Sequence, residues 1–181
     1  MAHLQSLPDN AGLADLLRAQ PRIAAVALPL AQEILRGESA LSVAERELLF
    51  AFGSGVNACH YCHGAHTAAA EALGVDRELV AAALDDIDTA PVDERMKPLL
   101  RYVRKLTETP SRITRADADA VRAAGWSDAA LHDVITVCAL HNFFNRWVDG
   151  TGVDADDAEL HERGRFLAAQ GYTARNAGPT P

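Results

Sequence analysis

Cap and stop signals divide this chain into helix-length segments, and no stretch between them alternates apolar and polar residues as a half-buried strand must. Ser42 with Glu45 makes a capping box, and Thr114 with Asp117 marks another start. Pro21 opens one helix and Gly37 closes it, while Gly74, Gly125 and Gly150 close others. The spacing predicts a short helix from Asp9 or Asn10 to Gln20, then helices over 21–36, 42–56, 59–74 and 76–84. After a loop at 85–91 come segments at 93–108, with Pro98 disturbing its first turn, then 114–125, 127–148 and a polar 156–170. The tail at 172–181 is expected to fray. The fold class is all-α.

A chain of 181 residues suits one domain spanning 1–181 or two closely packed helical halves. Segments 42–84 and 114–149 are candidates for distant copies of one helical hairpin. A hydrophobic content of 49% excludes a largely disordered chain, and 6% aromatics with recurrent alanine favours helices packed through small side chains. The net charge of −8 with scattered basic residues argues against a nucleic-acid groove. No apolar run approaches the roughly 20 residues that span a bilayer, and MAHLQSLPDN lacks the basic start and apolar stretch of a signal peptide. No membrane association is expected, and the expected location is cytoplasmic. In that compartment a C-x-x-C pair is more often catalytic or metal-binding than a structural staple.

Such a pair is present. Residues 59–66 read C-H-Y-C-H-G-A-H, so Cys59 and Cys62 lie one helical turn apart and His66 follows Cys62 by four residues on the same face. Near a helix start, unpaired amides and the helix dipole favour a thiolate. His66 can accept the Cys62 proton, and Glu47, twelve residues before Cys59, can orient the imidazole. Glu47 heads a stripe of small residues (Ala51, Ser54, Gly55) that a neighbouring helix can approach closely. Two thiols, a base and a carboxylate suffice for reversible disulfide chemistry: attack of Cys62 on a peroxide oxygen, then condensation with Cys59. Two other uses of the cluster stand beside it. A zinc half-site would recruit His63 or His66, although no second ligand cluster exists. C-H-Y-C-H is also a haem-attachment string, with His63 as the axial ligand.

The pattern of a glutamate, eleven residues, then C-x-x-C-x-x-x-H resembles the alkylhydroperoxidase D-like family of the carboxymuconolactone decarboxylase-like superfamily. ERELLFAFGSGVNACHYCHGAH and ALHNFFNRWVDGTGV look like its peroxidase-related subgroup, over roughly residues 25–150. The resemblance implies an all-α alkylhydroperoxidase D-like bundle. It assigns peroxide attack to Cys62, resolution to Cys59 and a proton relay to His66 and Glu47. It implies a hydroperoxide substrate, a dithiol donor or peroxiredoxin-like redox partner, and a homo-oligomer (dimer, trimer or hexamer). No bound cofactor is expected beyond the redox-active Cys59–Cys62 disulfide, because the electrons reside in the thiols. The chain departs from the family pattern at Tyr61, where studied members carry histidine; a phenol titrating near pH 10 is no base at neutral pH. His60, displaced by one residue, points about 100° away around a helix. A non-enzymatic redox sensor and a metal-binding module are the alternative functions.

Elsewhere, Cys138 sits among Leu131, Val134 and Ile135 at helical spacing and reads as an inert core thiol. His60 and His63 share a polar face with Thr67 and Glu71, which predicts exposure. Asn142, Asn145 and Arg146 read as a hydrogen-bonded helix contact, and Phe143, Phe144 and Trp147 as core or interface filling.

Overall fold

A computed structural model gives the structure of residues 1–173. Among these the chain forms nine α-helices and no strand: α1 (Leu13–Ala19), α2 (Pro21–Arg36), α3 (Val43–Val56), α4 (His60–Ala72), α5 (Arg77–Asp85), α6 (Met96–Glu108), α7 (Arg115–Ala123), α8 (Asp128–Thr151) and α9 (Asp157–Gln170). A single 3-10 turn, Pro110–Arg112, precedes α7. The starts follow local chemistry. Ser42 Oγ accepts the Glu45 amide at 3.2 Å while Glu45 returns a carboxylate to the Ser42 amide at 2.7 Å. Asp156 with Glu159 and Thr114 with Asp117 repeat the box on α9 and α7. Each such cap contributes about 1 kcal/mol.

Central to the fold is α3, in which residues Arg46 through Ser54 are all buried. A helix enclosed on every side has no polar face, so its two stripes contact different neighbours instead of core and solvent. It packs most extensively against α4, and α4 in turn against α9. Arg46 is buried because its guanidinium caps α2, donating to the carbonyls of Ile34 at 2.9 Å and Gly37 at 3.0 Å. Close approach of α9 to α4 requires Gly164. A methyl group there would lie 2.5 Å from the Ala65 carbonyl oxygen, 2.7 Å from the Ala69 nitrogen, and against the Ala68 methyl.

Several sequence boundaries shift for identifiable reasons. The first helix starts at Leu13, because Asp15 takes the Gly12 amide at 3.0 Å and sets the cap there. α6 begins at Met96 instead of Asp93, leaving Pro98 in the first turn, where its missing N–H has no partner to lose. α8 runs through Gly150 to Thr151 and stops at Gly152, since burial of Val148 and Thr151 outweighs the roughly 1 kcal/mol helix cost of glycine. Segment 42–84 holds three helices and segment 114–149 holds α7 and most of α8. The core also extends beyond 25–150: Leu7, Leu16, Leu160, Leu167 and Tyr172 all belong to it. Tyr172, expected at the head of a frayed tail, is therefore buried, and residues 174–181 lie outside the described residues.

No helix of the described residues is long and apolar enough to cross a membrane. Gly164→Ala separates packing from propensity: intrinsic helix preference favours alanine by about 1 kcal/mol, whereas overpacking against backbone costs about 1–3 kcal/mol. A lower midpoint in urea unfolding is expected, and a raised one would contradict the α4–α9 contact.

Candidate active site

The turn between α3 and α4 sets where the two thiols stand. Asn57 ends α3, Ala58 adopts φ 56°, and Cys59 becomes the N-cap of α4. A left-handed conformation at a non-glycine residue costs about 1–2 kcal/mol, and the surroundings hold it. The Cys59 amide donates to the Ser54 carbonyl at 3.0 Å, and the Ala58 amide to Gly55 at 2.9 Å. Asn57 Nδ2 donates to Asn142 Oδ1 at 3.0 Å and to Asn145 Oδ1 at 2.8 Å, and Asn145 Nδ2 to Ser54 Oγ at 3.0 Å. The asparagines of α8 thus form the helix contact read from the sequence, and they brace this turn.

Cys62 consequently sits in the first turn of α4, where its neighbouring amides lack helical partners. Cys59 and Cys62 are both buried and unbridged. The Cys59 thiol faces the Cys62 sulfur, and that contact, followed by burial, pushes the Cys59 pKa up. Cys59 therefore holds its proton.

Glu47 and His66 meet as the two stripes suggested. His66 Nδ1 lies 2.6 Å from Glu47 Oε2, with the carboxylate fully buried. A carboxylate can only accept, so Nδ1 carries the proton and Nε2 is left as the ring's basic nitrogen. Phe50 stacks on the imidazole at 3.5 Å between centroids and 14° between planes, which fixes the ring's rotation. Two further groups complete the carboxylate: Arg36 Nη1 at 2.6 Å and the Tyr172 hydroxyl at 2.7 Å, both on Oε1. Burial is the largest influence on Glu47 and acts to raise its pKa, but His66, Arg36 and Tyr172 together hold it below the usual 4.5. Burial first, then the Glu47 charge, raises Tyr172 well above its usual value, so it stays a phenol donor.

Cys62 and His66 line one cavity of about 30 Å³, walled by Leu13, Leu28, Phe50, Phe144, Val148 and Leu167. That volume admits a water or a peroxide group. Tyr61, Arg163 and Tyr172 also border it, whereas Cys59 does not. Burial pushes Tyr61 up to about 12, making it a phenolic wall and no base. His60 is exposed and bound to Asp154 at 2.9 Å. His63 is half-buried instead of exposed, because its Nδ1 meets the Ala51 carbonyl at 3.1 Å. Among the described residues no group of three or more His, Cys, Asp or Glu side chains is arranged to hold a metal. Cys138 is buried in the core, its thiol pKa raised by that burial. Arg36, Tyr172 and Phe50 went unnoticed in the sequence, where each has an ordinary local role.

Residues 21–105 match the Carboxymuconolactone decarboxylase family. A crystal structure of an uncharacterized peroxidase-related protein from Silicibacter sp. TM1040 has a TM-score of 0.74 at 29% identity, over 83% of this chain and 80% of that one. Over residues 21–105 the chain is similar to the carboxymuconolactone decarboxylase family. Its bundle is shared at lower identity by two further structures. An alkylhydroperoxidase AhpD core protein, an uncharacterized peroxidase-related protein from Ralstonia eutropha JMP134, has a TM-score of 0.76 at 22% identity, over 83% of this chain and 79% of that one. The debrominase Bmp8 in complex with 2,3,4-tribromopyrrole has a TM-score of 0.70 at 16% identity, over 83% and 81%. These last two speak to the alkylhydroperoxidase D-like fold alone. No curated protein is significantly similar in sequence.

A buried histidine outside the thiol pair gives a stability prediction. His141 of α8 is fully buried, and burial above all pushes its pKa from 6.5 to about 4. The folded state thus keeps it neutral, and its contribution is complete above 6.5 and lost as pH falls towards 4. That window corresponds to about 3 kcal/mol, whereas the Glu47 contribution is lost only below 4.5. Urea unfolding of His141→Gln should show a flatter dependence between pH 6.5 and 4 than wild type; parallel curves would contradict the assignment.

Proposed function

We propose that the protein is a thiol-dependent hydroperoxide reductase in which Cys62 attacks, Cys59 resolves, and His66 with Glu47 moves the protons. The observation that carries this reading is the shared cavity: Cys62 and the His66 ring open onto one small apolar space, with the ring's other nitrogen tied to Glu47. The family match over residues 21–105 and the similarity to a peroxidase-related protein support the same reading.

Each step balances. Cys62 gives its proton to His66 Nε2, directly or through one water held in the cavity. The thiolate attacks the terminal oxygen of ROOH, the O–O bond breaks, and the departing RO⁻ takes the proton from His66 as ROH. Cys62 is now a sulfenic acid. The Cys59 sulfur attacks it, its own proton leaves with the hydroxyl as water, and the Cys59–Cys62 disulfide forms. An external dithiol returns two electrons and two protons by exchange. No organic cofactor enters. The apolar wall lowers the local dielectric and excludes bulk water, and a protonated Cys59 does not compete for the peroxide. A homo-oligomer accompanies this reading, supported by exposed Ile23, Val26 and Leu30 on α2 and Phe143 on α8.

Peroxide consumption with dithiothreitol as donor tests the assignment in wild type and three variants. Cys62→Ser should abolish turnover, Cys59→Ser should stop at a sulfenic acid that dimedone traps, and His66→Phe should lose about 10²–10⁴-fold. Equal rates in all four proteins would remove the enzymatic reading. Loss at Cys59 but not at Cys62 would reverse the two roles.

A further inference from the structure

The Glu47 carboxylate has more partners than a relay to His66 requires. Its Oε1 carries both Arg36 and Tyr172, contributed by α2 and by the residue just past the end of α9. Tyr172 is buried and Arg36 half-buried against it, and their hydrogen bonds run to the carboxylate and to α2 and α9 instead of the thiols.

Tyr172 is clamped in place. Its amide donates to Gln32 Oε1 at 2.8 Å, and the Arg36 guanidinium lies 5.0 Å from its ring centroid. Gln32 and Arg36 are one turn apart on α2, so one helical face grips the segment. Arg36 also donates to the Leu167 carbonyl at 3.0 Å, in the last turn of α9. The chain enters through Gly171 at φ 71°, where a Cβ would lie 2.5 Å from Gln32 Oε1. The phenol oxygen ends 3.4 Å from His66 Nδ1, over the pair it borders.

We infer that Arg36 and Tyr172 are positioning residues that divide the Glu47 charge and hold its second oxygen on His66, so that the imidazole rests neutral with Nε2 free to take a proton. An imidazole paired with an undivided buried carboxylate binds its second proton tightly, rests as imidazolium and has no free lone pair for another proton. A guanidinium on the other oxygen offsets that pull, and the phenol supplies a neutral donor that tethers the same oxygen. The groups facing the His66 ring are Glu47 from α3, Cys62 on α4 itself, Arg36 from α2, Tyr172 after α9, Arg163 of α9 across the cavity, and His141 of α8 beyond Phe50. Of these, Arg36 and Tyr172 meet the carboxylate.

The inference deepens the peroxidase reading but is tested without turnover. The readouts are the pH midpoint of Cys62 alkylation by iodoacetamide in a Cys59→Ser background and the His66 titration by NMR. Tyr172→Phe keeps the ring and removes only the hydroxyl. Arg36→Gln removes the charge, and Arg36→Lys keeps it. The His66 midpoint should rise, by about one pH unit in Arg36→Gln and less in Tyr172→Phe. The Cys62 midpoint should fall, because the longer-lived imidazolium stabilises the thiolate, so that alkylation at pH 6 increases while the alkaline plateau is unchanged. Arg36→Lys should recover at least half of the shift. A folded Tyr172→Phe protein whose midpoints match wild type overturns the role of the phenol, even if Arg36→Gln fails to fold. Arg36→Lys behaving as Arg36→Gln overturns the role of the charge. Absent peroxide turnover with these shifts present would reject the peroxidase reading and leave the positioning role standing.

Discussion

A carboxylate with no exposed surface is tolerable only while every lone pair that faces the protein has a donor, and Glu47 organises this fold through that requirement. Its donors come from α2, α4 and the residue after α9, so the start, middle and end of the described chain converge on a single side chain. Removing any donor strands part of a charge in a low-dielectric interior, which costs more than the lost hydrogen bond. The same convergence links folding to chemistry. The ring that would serve as base is oriented by the group that the tertiary structure must satisfy in any case.

The second constraint is the α3–α4 turn. Its geometry makes Cys59 a buried cap and puts Cys62 at the edge of the cavity, and it is braced by asparagines from α8, far along the chain. Two thiols of identical local sequence value thereby become unequal: one faces the cavity, while the other keeps its proton against its partner's sulfur. Alanine and glycine let α4 and α9 approach closely enough for Tyr172 to reach the carboxylate. Small side chains in this bundle therefore serve the site as well as the core.

Much of this was legible in the residues. Caps such as Ser42–Glu45 act within one turn, so α3 and its start were readable locally. Cys59, Cys62 and His66 share a helix, so their spacing alone set their relative directions. Glu47 lies on another helix, and its stripe of small residues indicated only that an approach was sterically open. Boundaries failed where burial overrode a local preference, as at Gly150. Arg36 resembled an ordinary helix-end cation, and Tyr172 an unremarkable residue after a glycine, because nothing near either in sequence names its partner.

The sequence by itself determined the all-α class, the helix starts and the one-turn geometry of the thiol–imidazole motif, since these depend on interactions spanning a few residues. Tertiary structure decided which sulfur faces the cavity, the ionisation of a carboxylate buried among three donors, and the anchoring of the segment beyond α9. Those outcomes depend on burial and on groups brought together across more than a hundred residues, as Glu47 and Tyr172 are, and no local pattern encodes them.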